Sequence, residues 1–74
     1  MTLGQIISEN RKRKSMTQQD LADKAGMSRS HLAALETGRY SPSIHTLVRI
    51  AHAMDLRLIL RIEDSEPMEV TPRE

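Results

Sequence analysis

Cysteine, tryptophan and phenylalanine are absent from this 74-residue chain, and Tyr40 is its one aromatic of the Phe, Tyr and Trp class. With no cysteine there can be no disulfide and no tetrathiolate or Cys/His zinc framework, the staples of many small domains, and nothing points to an oxidising compartment. Long hydrophobic runs are missing too. The longest lies within Leu58 to Leu60, far short of the roughly 20 residues a membrane span needs, and the N-terminus shows no basic-then-apolar signal pattern. The expectation is a soluble cytoplasmic protein with no membrane partner. Its length leaves room for one small domain, which buries only about 60% of the surface its unfolded chain exposes. With staples excluded, association of copies is the remaining route to stability.

The net charge of +1 conceals an asymmetry. Residues 1–49 carry eight Lys/Arg against four acids, a net +4, and residues 50–74 carry three against six, a net −3. A basic first part with an acidic tail fits a polyanion partner at one end, although charge alone equally fits an ordinary solvated surface.

Along the chain, Thr2 caps a first helix with Leu3, Ile6 and Ile7 at helical spacing, closed by Arg11-Lys12-Arg13-Lys14, which suits the negative end of a helix dipole. Thr17 and Asp20 form a capping box ahead of Leu21, Ala22 and Ala25, and Gly26 suits a left-handed stop. Ser28 caps a third helix with Leu32 and Leu35, ended by Gly38. After the turn Tyr40-Ser41-Pro42, Ser43 caps a fourth, where Ile44, Leu47, Val48, Ala51 and Met54 form an amphipathic stripe. The expected core is Ile7, Leu21, Leu32, Leu35, Leu47, Val48 and Ala51. From Leu56 to Glu63 the period changes to two, with Leu56, Leu58, Leu60 and Ile62 on one side, as in a strand. Beyond it, Pro67, Pro72, Asp64 and three Glu predict an acidic disordered tail over 64–74, leaving 1–63 as the folded domain.

Two short helices joined by Gly26-Met27-Ser28 are a helix-turn-helix. The stretch Thr17-Gln18-Gln19-Asp20-Leu21-Ala22, Ala25-Gly26-Met27-Ser28, Leu32, Leu35-Glu36, Gly38, Pro42-Ser43 and Thr46-Leu47 resembles the Xre family, the lambda repressor/Cro type of DNA-binding domain, over residues 3–54. The resemblance implies an all-α domain of four or five short helices and a sequence-specific repressor binding a palindromic operator in double-stranded DNA, with no cofactor. It matches Gln18 to a family glutamine that holds a phosphate and braces the first side chain of the recognition helix. It also matches Arg11 and Glu36 to a structural ion pair between the first and third helices. Two positions depart from the pattern: Asn10 stands where leucine is usual, reaching either a backbone carbonyl or a dimer partner, and Ser15 replaces a frequent glycine.

On a wheel of 100° per residue, Leu32 and Leu35 point one way while Ser30, Ala33, Ala34 and Thr37 point the other. Small side chains let a helix lie deep in the major groove, and Arg29 at its N-terminal end can fork onto guanine O6 and N7. Arg39 and Tyr40, in the following loop, are candidate phosphate contacts, with Lys12, Arg13 and Lys14 adding non-specific attraction. His45 and His52 are two helical turns apart, too distant to share a zinc ion without a third element, so they and His31 read as solvated and no metal site is expected. No P-loop or catalytic spacing occurs, so no enzyme is expected.

Nothing else in the chain reads as β, so the strand near 56–63 is expected to pair with its two-fold mate through Leu58, Ile59, Leu60 and Ile62, giving a homodimer. A terminal strand after the fourth helix also resembles HipB-type antitoxins, which partner a HipA-type kinase toxin. The rival from another class is a protein-interaction module that uses the same fold without reading DNA.

Overall fold

The structure, a computed structural model, describes residues 1–71. It contains four helices, α1 (Leu3–Arg13), α2 (Gln18–Ala25), α3 (Arg29–Glu36) and α4 (Ile44–Ala53), and an antiparallel pair of short strands, β1 (Leu58–Leu60) and β2 (Met68–Val70). Among the described residues no helix is long and apolar enough to cross a membrane.

Every helix opens on a hydroxyl. Thr2, Thr17, Ser28 and Ser43 each sit in extended backbone and accept a hydrogen bond from the N–H three residues on, satisfying one of the donors a helix start leaves free. Thr2 and Thr17 complete reciprocal boxes with Gln5 and Asp20. Hydrogen bonding from the Thr17 backbone and hydroxyl holds the exposed Asp20 carboxyl below its usual pKa. That cap is therefore fully formed above the ordinary carboxylate range and loosens as acid titrates the group.

Each helix also closes in one way. Ser15, Gly26, Gly38 and Asp55 are left-handed, at φ 57°, 69°, 81° and 57°. The next residue, Met16, Met27, Arg39 or Leu56, donates its N–H to the carbonyl five positions back, at 2.9 to 3.0 Å. This closure satisfies carbonyls that a helix end leaves open. Met16, Met27 and Leu56 then pack on the core, which pins the chain's exit direction. Asn10 resolves as a local bond, its Nδ2 donating to the Ile6 carbonyl at 2.9 Å.

The core comprises Ile7, Leu21, Ala22, Ala25, Leu32, Leu35, Val48, Ile50 and Met54. α1 closes on the end of α3 because Gly4 has no side chain: a β-carbon there would stand 2.6 Å from the Leu35 carbonyl oxygen and closer still to that of Glu36. Leu47 and Ala51, expected inside, are only half-buried, while Ile50, off the stripe, is fully enclosed. The cause is a groove between α1, α4 and the start of β1, lined by Leu3, Ile6, Leu47, Ala51, Leu56 and Leu58, which nothing among the described residues fills.

The strand expectation is corrected in three respects. β1 spans Leu58–Leu60 rather than 56–63, its partner lies in the same chain, and that partner falls within the segment read as disordered. Leu58 pairs with Val70, Ile59 with Glu69 and Leu60 with Met68. The reversal is made by Asp64 in left-handed backbone at φ 66°, with the Ser65 N–H and hydroxyl both donating to the Ile62 carbonyl at 2.9 and 2.6 Å. Ordered structure thus continues past residue 63. Of the expected dimer contacts, Leu58 is half-buried within the chain, and Ile59, Leu60 and Ile62 are exposed. Residues 72–74 of the expected tail lie outside the described residues.

Left-handed backbone costs an L side chain about 1 to 2 kcal/mol, partly offset by glycine's larger unfolded-state entropy. Ser15→Gly should therefore raise stability by about 0.5 to 1 kcal/mol. A urea midpoint that failed to rise would show that Ser15 bears no such strain.

Candidate nucleic-acid interface

The outward face of α3 is a shallow concavity of about 240 Å³ lined by Arg29, Ser30, Ala33, Ala34, Thr37 and Arg39. Ser30, Ala33, Ala34 and Thr37 are the residues expected on this face, and Arg29, expected at its N-terminal end, and Arg39, expected in the following loop, join them in one surface. Its floor is low because Ala33 and Ala34 project only methyl groups, while Leu32 and Leu35 on the opposite side are buried. The arginines stand at its two ends, both exposed. Arg29 opens the helix, and Arg39 follows the left-handed Gly38 that turns the chain away.

Behind this face a polar chain runs from the interior to the surface. Arg11 donates through Nε to Glu36 Oε2 at 2.8 Å and through Nη2 to Glu36 Oε1 at 3.1 Å, and through Nη1 to the Met16 carbonyl at 2.9 Å. The two side chains are 10% and 6% exposed, so the expected pair is enclosed and bidentate, the strong geometry for such a contact. The hydrogen bond to Glu36 raises the Arg11 pKa against the opposing pull of burial, so the guanidinium keeps its charge throughout the ordinary pH range. Gln18 Nε2 adds a third donor side chain contact, 3.2 Å from Glu36 Oε1. Its Oε1 faces Arg29 Nη1 at 3.5 Å. Gln18 thus stands between the ion pair and the first residue of α3.

Tyr40 is not brought to the concavity. Its ring lies 4.7 Å from that of His31, its hydroxyl donates to the His31 carbonyl at 3.2 Å, and it packs on the core. A hydroxyl has one proton to donate, and here it braces α3. Arg49 is a contact that sequence reasoning missed: from α4, its Nη2 donates to the Ala25 carbonyl and, at 3.0 Å, to that of Gly26. It holds the turn between α2 and α3, where the helix dipole favours a cation. The available signal was only the single arginine of α4. Lys12, Arg13 and Lys14 are exposed. His31, His45 and His52 are exposed as well, and among the described residues no group of three or more His, Asp or Glu could hold a metal ion.

Residues 7–60 match the helix-turn-helix family model. The chain belongs to this family, whose members are regulators rather than enzymes. It is 47% identical over 58 residues to an immunity repressor protein of Bacillus phage phi105, covering 78% of the chain and 40% of that protein's length. It is 41% identical over 68 residues to the ImmF control region 10 kDa protein of the same phage, covering 90% of the chain and 76% of the relative. Among solved structures, the restriction-modification controller protein C.AhdI from Aeromonas hydrophila superposes with a TM-score of 0.70 at 32% identity, over 72% of this chain and 80% of that one. SinR, the master regulator for biofilm formation, solved in complex with DNA, gives a TM-score of 0.70 at 34% identity, over 74% and 89%.

Removing one member of an enclosed ion pair leaves the other charge without a partner. Glu36→Ala should accordingly destabilise this helix-turn-helix domain by about 3 kcal/mol, measured by thermal or urea denaturation. Equal midpoints for wild type and variant would show that Arg11 gains nothing from the pair.

Proposed function

We propose that the protein is a sequence-specific transcriptional repressor that binds a palindromic operator in double-stranded DNA as a homodimer, in the cytoplasm and on nucleoid DNA. The observation that carries this is the α3 concavity, a small-residue floor between two exposed arginines. α3 enters the major groove with Ser30, Ala33, Ala34 and Thr37 against base edges, and Arg29 forks onto guanine. Gln18 and Arg39 hold phosphates on either side, Gln18 with the amide proton not committed to Glu36. The phage repressor and the DNA-bound neighbour support this reading.

The second copy lies on the unfilled groove. Leu3 and Ile6 on α1 and Ile44 on α4 are 46%, 42% and 53% exposed beside the half-buried Leu47, Leu56 and Leu58, an apolar face that a domain this small gains by covering. The antitoxin reading, with a HipA-type toxin as partner, drew its support from a strand left without a mate. β2 supplies that mate within the chain, so a free-standing repressor is the better-supported form.

Binding to a selected site should fall steeply between low and physiological salt, and half-sites should lie about one helical turn apart. Arg29→Ala should cost about 1 to 3 kcal/mol and relax preference at one base pair of each half-site in selection from a random pool. An unchanged site logo would remove Arg29 from base readout, and no preference for any site over random duplex would favour the interaction module.

Ile6→Glu, which places a charge on the groove, should give a monomer by sedimentation with sharply reduced operator affinity. A dimer with full affinity would move the two-fold contact elsewhere.

A further inference from the structure

We infer that Glu36 is a positioning residue for base readout, acting through the direction of the Gln18 side-chain amide on Arg29. The inference deepens the proposed function and rests on it.

A glutamine amide has two nearly isosteric ends, one that donates and one that accepts, and either could face an α3 side chain. A carboxylate only accepts, so it fixes the choice. Glu36 is enclosed, its position set by two hydrogen bonds from Arg11, and it admits only the Nε2 end of Gln18. The Oε1 end is thereby turned outward toward position 29, where it meets the Arg29 guanidinium at 3.5 Å. An acceptor at that place draws in a donor side chain and repels none of its protons. The side chain that reads guanine is in this way held from behind, which narrows its rotamers before DNA arrives.

Replacing the carboxylate by an amide removes that rule while keeping size. In Glu36→Gln the single remaining oxygen turns to the charged donors of Arg11, and its NH2 confronts that of Gln18. Gln18 relieves the clash by turning over, which presents its own NH2 to Arg29 and drives the guanidinium away. A purely structural role for Glu36 would instead weaken binding to every sequence alike.

The test is site selection from a random pool, with binding titrations on the selected and random duplexes, carried out below the melting range of each variant. Glu36→Gln should lose about threefold to tenfold of its discrimination at the base pair assigned to Arg29, in addition to a uniform loss as the turned Gln18 amide leaves its phosphate. Gln18→Met leaves the Arg11–Glu36 pair intact, so it remains informative if Glu36→Gln folds poorly. It should relax the same base pair, in addition to a uniform loss from its phosphate contact. Adding Glu36→Gln to Arg29→Ala should leave the logo of Arg29→Ala as it was. In NMR spectra the two Gln18 amide protons should differ widely in shift in wild type and converge in Glu36→Gln. Unchanged discrimination in both Glu36→Gln and Gln18→Met, beside a wild type that does select a site, would overturn this inference alone. A wild type that selects no site would overturn the proposed function and this inference with it.

Discussion

The enclosed pair of Arg11 and Glu36 ties the last turn of α1 to the last residue of α3, and the geometry of the outward α3 face depends on it. Taking two charges out of water is expensive, and the cost is met here by geometry: two parallel N–H to oxygen bonds, a third guanidinium donor on the Met16 carbonyl, and Gln18 on the carboxylate. Among the described residues no buried side-chain nitrogen or oxygen is left without a partner. Such an arrangement tolerates little displacement, because a bidentate contact is lost by a shift that an apolar contact would absorb. The close approach of α1 at Gly4 and the pair at Arg11 fix α3 from the same side, one by contact of backbones and the other by charge.

The second constraint is the way helices begin and end. With a core of nine apolar residues, the domain has little stability to lose on unpaired backbone groups. Hydroxyl caps at every start and left-handed closures at every end reduce that loss, and they also set the turn angles. The α2–α3 turn is held three ways: by Gly26 in its left-handed conformation, by Met27 packing on the core, and by Arg49 from α4 on the exposed carbonyls. An extra side chain at Gly26 would be strained by φ and would press on Arg49, since a β-carbon there lies 3.0 Å from Nη2. Local sequence fixes the turn, and a distant helix locks it.

The faces of single helices were largely legible in the sequence, and contacts between elements were not, apart from the Arg11–Glu36 pair that the family resemblance implied. The α3 face was read correctly because 100° per residue is enough to separate Leu32 and Leu35 from Ser30, Ala33, Ala34 and Thr37. The contact of Tyr40 with His31 has no sequence signal because it joins a loop to α3, and Arg49 was overlooked because its partners are carbonyls, which have no sequence signature. Ser15 and Asp55 hide the first and last helix closures, since a polar residue does not announce a left-handed backbone as glycine does. β2 escaped notice because three residues, Met68-Glu69-Val70, are too few to show alternation amid the acidic surroundings of Pro67. The phase of α4 was wrong by one position at Ile50, because the expected stripe assumed a single neighbour, whereas α4 faces both the core and an open groove.

The length of α3 explains why one copy is not enough on the proposed reading. Eight helical residues span about 12 Å, close to the width of the major groove, so the helix enters it without excess length. Only the outward positions can meet base edges, and three of them, Ser30, Ala33 and Ala34, are too short to span more than a pair of neighbouring bases. A reader of about four base pairs meets its site by chance about once in 256 positions, whereas two copies reading about eight meet theirs about once in 65,000. Small side chains are needed for close approach, and they carry little information each. Selectivity must then come from holding the few long side chains rigidly and from doubling the site. The Gln18 brace behind Arg29 addresses the first requirement and the apolar groove the second. Both sit on elements that the Arg11–Glu36 pair and Gly4 hold in register with α3.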